Sequence, residues 1–268
     1  SLDSSSVVLK LTSQAPFIHS ILTTWKMRCC WMSKANLKQK PRRQPNARNR
    51  DCIQMDDGFG LAMGMFSDRA LAIQPTGVRK MFDLAGDDVI SFGLGEPDFQ
   101  PPEVAIEAFY QAMLDGRNKY TTTAGLPALR RKIATSWEAY QTGMDENNVC
   151  MTMSGTNALL NLFMTIINPG ENVLLPEPYF PLYGPDATLV GGEGKYYPCL
   201  FEHEFIPQIE DLEAMVDENT VAILYNFPSN PTGGTLNEEQ RDDLLAFAKR
   251  HDLWIISDEV YDLSLIHI

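Results

Sequence analysis

No apolar run in these 268 residues approaches the roughly 20 that a bilayer-spanning helix needs, so no membrane partner is expected. Cysteine is scarce and odd in number: Cys29, Cys30, Cys52, Cys150 and Cys199 contain no C-x-x-C pair. The four histidines, His19, His203, His251 and His267, are scattered. These residues assemble neither a disulfide framework nor a metal site, and a reducing, cytoplasmic compartment is the expected location. No G-x-G-x-x-G follows a candidate strand, which weakens a dinucleotide-binding oxidoreductase. Internal repeats and long low-complexity tracts are also absent from the body of the chain.

What is present is strongly asymmetric in charge. Residues 1–55 carry ten Lys/Arg against two acids, a balance of +8, whereas residues 56–268 carry twelve against thirty-three, a balance of −21. Such an acidic body repels nucleic acid and anionic membrane, so no nucleic-acid partner is expected. Residues 1–62 form a basic segment without sustained periodicity, and its run Lys38-Gln-Lys-Pro-Arg-Arg43 fits a nucleic-acid patch or a transit peptide. A disordered or non-native extension accounts for the same composition, and the segment is set aside in reasoning about the fold. The overall 44% apolar and 21% charged residues suit a soluble globular protein long enough to bury a substantial core.

From residue 66 the texture alternates. Residues 67–82 read as an arm followed by a helix, and Val89–Phe92 as a strand leading into Gly93-Leu-Gly-Glu-Pro-Asp-Phe99. Pro101-Pro-Glu103 opens a helix to about Leu114, and Gly125-Leu-Pro127 opens another. Strands are expected at Val149–Met153, Asn172–Leu175, Lys195–Pro198, from Ala222 and at Leu253–Ile256. Helices are expected at Asn157–Ile167, Ile209–Met215 and from Asn237, where Asn237-Glu-Glu-Gln240 reads as a capping box. This alternation predicts an α/β fold, a mostly parallel sheet with helices on both faces.

Ligands of such sheets bind beyond the carboxyl ends of the strands, and several residues there carry chemistry. Ser154-Gly-Thr156 opens a helix and offers backbone N–H groups, two hydroxyls and a positive dipole end to a phosphate, although any helix takes a Ser or Thr cap. The apolar run from Ala222 breaks at Phe227-Pro-Ser-Asn-Pro-Thr-Gly-Gly234. Pro231 holds Asn230 extended, ready to hydrogen-bond a ligand, and an ordinary proline-rich loop explains the stretch equally well. Asp258 closes the apolar Leu253-Trp-Ile-Ile256, so a buried carboxylate needing a partner is expected, structural or ligand-borne. Tyr261 lies three residues on, and Phe180 is placed either to lie against a planar ring or to fill core. Phosphate cradle, flat aromatic, carboxamide, carboxylate and phenol together describe a phosphorylated aromatic heterocycle, and pyridoxal 5′-phosphate fits each part.

In order along the chain stand Gly95-Glu-Pro-Asp-Phe99, Lys119-Tyr120, Ser154-Gly-Thr156, Pro178-Tyr-Phe180, Asn230-Pro-Thr-Gly233 and Ser257-Asp-Glu-Val-Tyr261. With these six motifs the chain resembles the class I/II, fold-type I pyridoxal-phosphate aminotransferases of the aspartate aminotransferase-like group, from about Met65 to Tyr261. The resemblance implies that Ser154, Gly155 and Thr156 bind the cofactor phosphate and that Phe180 stacks on the ring. It implies that Asn230 and Tyr261 contact the 3-oxygen, that Asp258 pairs with the ring nitrogen, and that the backbone of Gly95 binds the substrate carboxylate. Tyr120, by the same resemblance, reaches the phosphate of a neighbouring subunit in a homodimer. The division it implies is an N-terminal arm and small-domain part over 63–115 and a large cofactor-binding domain over 116–268. The substrates it implies are an amino acid, such as aspartate or an aromatic one, and a 2-oxo acid.

The family's Schiff-base lysine follows the Asp-Glu-Val-Tyr strand, and no lysine stands after Asp258 here. Two family arginines, for phosphate and for substrate carboxylate, are also missing. Asp262-Leu-Ser-Leu-Ile-His-Ile268 departs from the pattern, so a C-terminal truncation and an inactive fragment are expected. Two alternatives remain open at this point. One is another fold-type I lyase or synthase, similar to aminocyclopropane-carboxylate synthase; the other is a non-catalytic, aminotransferase-like regulatory module.

Overall fold

The computed structural model describes residues 67–73, 95, 99–137 and 143–262. The expected strand at Val89–Phe92 and the basic segment 1–62 lie outside the described residues. Three helices come first: α1 (Asp68–Ala72), α2 (Glu103–Leu114) and α3 (Pro127–Trp137). From Gly155 the elements alternate: α4 (Gly155–Ile166), β1 (Asn172–Glu177), α5 (Tyr183–Leu189), β2 (Glu193–Pro198), α6 (Ile209–Met215), β3 (Thr220–Asn226), α7 (Glu238–Arg250) and β4 (Trp254–Asp258).

The four strands form one wholly parallel sheet in the order β2-β1-β3-β4. Parallel strands need both faces covered, and period-two alternation assigns each residue to a face. Val173, Leu175, Ala222, Leu224 and Ile256 face Ala158, Leu159, Leu162 and Phe163 of α4 and Tyr183 and Ala187 of α5. Leu174, Ile223 and Ile255 face Leu212 of α6 and Leu244, Phe247 and Ala248 of α7. The result is a helix–sheet–helix sandwich, and each fully buried side chain such as Phe163 or Phe247 contributes roughly 1.5–3 kcal/mol.

Local chemistry explains the element ends. Asn237 accepts from the Gln240 N–H while the Gln240 side chain accepts from the Asn237 N–H, a reciprocal cap that starts α7. Gly233 adopts φ 76°, a left-handed turn, and its N–H donates to the Ser229 carbonyl at 2.9 Å. At Gly184 a Cβ would collide with the Tyr196 hydroxyl, so glycine lets α5 settle onto β2.

Several expectations need correction. Val149–Met153 is not a strand: it runs as coil after a short 3₁₀ turn at Glu146–Asn148. Strand geometry needs a neighbouring ladder, and among the described residues no strand pairs with this segment; the Met151 N–H donates to the Ala124 carbonyl instead. Helix α4 starts at Gly155, two residues ahead of the expected Asn157, because Ser154 already caps it. β2 begins two residues before Lys195, and β4 runs on to Asp258.

Candidate functional site

The chain passes from β1 outward to β2, then returns to the other side of β1 to lay down β3 and β4. The connections leaving β1 and β3 therefore diverge, which opens a crevice at the carboxyl ends of these adjacent strands. Phe180 follows β1 and Asn230 follows β3. Helix α4 faces the same edge with its amino end. It is about 18 Å long, matches the roughly 20 Å of β1, and ends only five residues before β1 starts, so the two run in opposite directions.

Asn226 organises the β3 side. It is buried, and it pairs in register with Asp258. Its Nδ2 donates to the Asp258 carbonyl at 2.7 Å, while its Oδ1 accepts from the Asn230 N–H at 2.7 Å. The Asn230 carboxamide, half-buried, donates through Nδ2 to the Tyr261 hydroxyl at 3.3 Å. Asn230, Tyr261 and Asp258 thus form one connected group across the ends of β3 and β4.

Asp258 shares the α4 face of the sheet by the same alternation that places Ile256 there. Only 5% exposed, it accepts the Tyr183 hydroxyl proton on Oδ2 at 2.6 Å and the Val260 N–H on Oδ1 at 3.4 Å. Burial pushes the carboxyl above its ordinary range, partly offset by the Tyr183 hydrogen bond. Burial also drives the Tyr183 phenol far up, with the Asp258 charge adding to it, so Tyr183 is the proton donor of this pair. The ring of Phe180 packs edge-on against Tyr183, centroids 5.6 Å apart.

At the start of α4 the Ser154 hydroxyl accepts from the Asn157 N–H at 3.1 Å, and the Thr152 hydroxyl donates to the Ser154 carbonyl at 2.8 Å. The Ser154 side chain therefore acts as a helix cap. Gly155 and Thr156 are half-buried, and among the described residues Asn157 is the one α4 residue before Ala158 whose backbone N–H finds a partner. Free N–H groups at a helix start suit an anion.

Two residues from the sequence stay apart from this group. Tyr120 is fully exposed at 107%, and Gly95 is exposed with open space where a Cβ would stand. Two others join it that sequence reasoning did not single out. Asn226, the last residue of β3, carried a signal in being a polar residue that closes an apolar run; Tyr183 carried none beyond its place in an aromatic turn.

The donor set fits a protonated heterocycle bearing a phosphate: a buried carboxylate without a cation among the described residues, an amide–phenol pair, and a helix start. An open parallel α/β sheet with its polar group at the switch point is the class of architecture these features define. The family model described as aminotransferase class I and II matches residues 87–264, and the chain belongs to that family. It is 38% identical over 200 residues to an aspartate aminotransferase of Pyrococcus abyssi, covering 73% of this chain and 51% of that protein. With aromatic-amino-acid aminotransferase 2 of Thermococcus litoralis it shares 35% over 201 residues, again 73% of this chain and 51% of the relative. Among solved structures, the aspartate aminotransferase of Thermotoga maritima superposes with a TM-score of 0.70 at 33% identity, covering 74% of this chain and 54% of that one. The chain thus spans about half the length of the relatives it matches. Its sheet and flanking helices are part of the fold-type I architecture, and members of the family use pyridoxal phosphate.

Proposed function

We propose that this chain is the cofactor-binding part of a pyridoxal-phosphate aminotransferase that moves an amino group from an amino acid to a 2-oxo acid. The connected group Asp258–Asn226–Asn230–Tyr261 at the switch-point edge carries the reading. Asp258 would hold the ring nitrogen, Asn230 and Tyr261 the ring's 3-oxygen, Phe180 the ring face, and the α4 start with Ser154, Gly155 and Thr156 the phosphate. The cofactor, once bound, supplies an electron sink for a carbanion next to it. The residues of this chain bind and orient: Asp258 keeps a proton on the ring nitrogen, and the amide–phenol pair holds the oxygen opposite.

Aspartate or an aromatic amino acid is the proposed donor, after the aspartate and aromatic-amino-acid aminotransferases among its relatives. A homodimer is part of the proposal, and the fully exposed Tyr120 supports it as a phenol free to serve a second subunit. So are the division near residue 115 into small-domain part and cofactor domain, and a cytoplasmic location, which the free thiols of Cys150 and Cys199 support. Within the 268 residues no lysine follows Asp258, Lys119, Lys132 and Lys249 are exposed, and Lys195 is tied to Asp217. The chain alone is therefore proposed to bind without turnover.

A chain extended to the length of its relatives, given aspartate, an aromatic amino acid and 2-oxoglutarate, is expected to form glutamate. Elimination or cyclisation products without glutamate would overturn transfer in favour of a lyase or synthase. The 268-residue chain should trap no cofactor at a single lysine on borohydride treatment; stoichiometric trapping with turnover contradicts the binding-only role.

A further inference from the structure

We propose that Tyr183 is a positioning residue: its hydroxyl holds the Asp258 carboxylate ionised and turned so that one oxygen stays available to a cationic N–H donor from the ligand. The proposal rests on the cofactor reading above and adds a residue that none of the sequence motifs assigned to the site.

The geometry is specific. Tyr183 is completely buried in α5, 75 positions away from Asp258, and the two oxygens lie 2.6 Å apart. That separation belongs to the O–H···O⁻ class, shorter than a neutral hydroxyl bond and about twice as strong. A phenol has one proton, and Tyr183 spends it on Oδ2. Oδ1 keeps only the long 3.4 Å contact from the Val260 N–H, which leaves lone pairs for another donor. The backbone of Asp258 is fixed separately, through the Asn226 amide on its carbonyl. Carboxylate and main chain are thus held by two different elements, α5 and β3.

Charge completes the argument. A buried carboxylate is costly unless a positive partner answers it. None of the salt bridges among the described residues includes Asp258, and the groups facing it are the neutral phenol of Tyr183 and a backbone N–H. A neutral donor can steer and partly sustain the negative charge without neutralising it. The arrangement holds an anion in readiness for a cation that the protein itself does not supply, and a protonated heterocyclic nitrogen meets that description. Phe180 braces the ring of Tyr183 from the side.

Tyr183→Phe keeps the ring and removes only the hydroxyl. In the 268-residue chain labelled with ¹³C at aspartate carboxyls, the Asp258 titration midpoint should rise by about one to two pH units, the weight of one hydrogen bond to a charge. Binding of pyridoxine 5′-phosphate, which lacks the aldehyde and cannot react with lysines, should weaken roughly tenfold between the parent's midpoint and the variant's, and the deficit should narrow on either side of that window. A purely structural role would weaken binding equally at every pH, and that result overturns the proposal. Should Y183F fail to fold, the unaltered chain still decides: the Tyr183 ¹³Cζ resonance must move with the Asp258 midpoint, and a resonance that ignores it overturns the proposal. An Asp258 midpoint unmoved in Y183F, with the analogue bound as in the parent, removes Tyr183's role alone. A midpoint that rises while neither protein binds the analogue removes the cofactor berth, and the positioning role with it.

Discussion

Asp186 makes a sharp test of the electrostatics of this fold. It sits on α5 at 5% exposure, and its Oδ2 is buried without a hydrogen-bond partner among the described residues. Burial alone pushes its carboxyl from 3.8 up to about 6. A rise of that size corresponds to roughly 3 kcal/mol of penalty for carrying the charge when folded. The sign is the reverse of the usual acid: the folded state binds the extra proton, so stability falls as pH climbs from about 4 to about 6 and is flat above. Asp258, also raised, tilts the curve the same way, so the informative quantity is the difference between parent and variant. Asp186→Asn removes the charge but leaves a buried amide, which returns about 1–2 kcal/mol of the gain. The expected net effect is stabilisation by about 1–2 kcal/mol at pH 7.5, turning into destabilisation by about 1 kcal/mol near pH 4, where the charge penalty is gone and the amide cost remains. Urea unfolding of both proteins at the two pH values measures it. A variant less stable than the parent at pH 7.5 would refute the reasoning, because it would mean that the ionised carboxylate has a partner worth more than its desolvation.

Asn237→Ala removes the side-chain half of the α7 capping box, the acceptor for the Gln240 N–H, and should cost about 0.5–2 kcal/mol by the same unfolding assay, with Asn237→Gly costing less. Asp217 gives the opposite pH limb to Asp186. Hydrogen bonds from Lys195 first, then Asn172, hold its carboxyl well below the ordinary range, so its contribution is present above pH 4 and is lost as pH falls. Asp217→Asn should therefore flatten the acid side of the stability curve below pH 4, and an unchanged acid limb would count against this network.

Much of the sheet was legible because β1, β3 and β4 are largely buried and carry unbroken apolar runs. The run from Ala222 announced β3, which starts two residues earlier at Thr220, and the Asn237–Gln240 spacing announced the start of α7. Val149–Met153 has the same apolar texture and misled, since composition reports willingness to form a strand and not whether a partner edge is at hand. The candidate site shows the same divide. Asp258 and Asn230 sit where strands stop, a feature visible in one dimension. The Tyr183–Asp258 bond joins positions 75 apart, and no local pattern encodes which buried phenol meets which carboxylate. Ser154 illustrates a third case: one hydroxyl fits both a cap and a phosphate ligand, and the folded chain uses it as a cap.

Titration calorimetry of the 268-residue chain with pyridoxine 5′-phosphate, beside its Asp258→Ala variant, tests the claim on which everything else stands. One saturable site per chain, weakened at least about tenfold by loss of the carboxylate, is the predicted result for a charge-assisted contact. No saturable binding, or identical binding by parent and variant, would contradict a berth at the ends of β3 and β4.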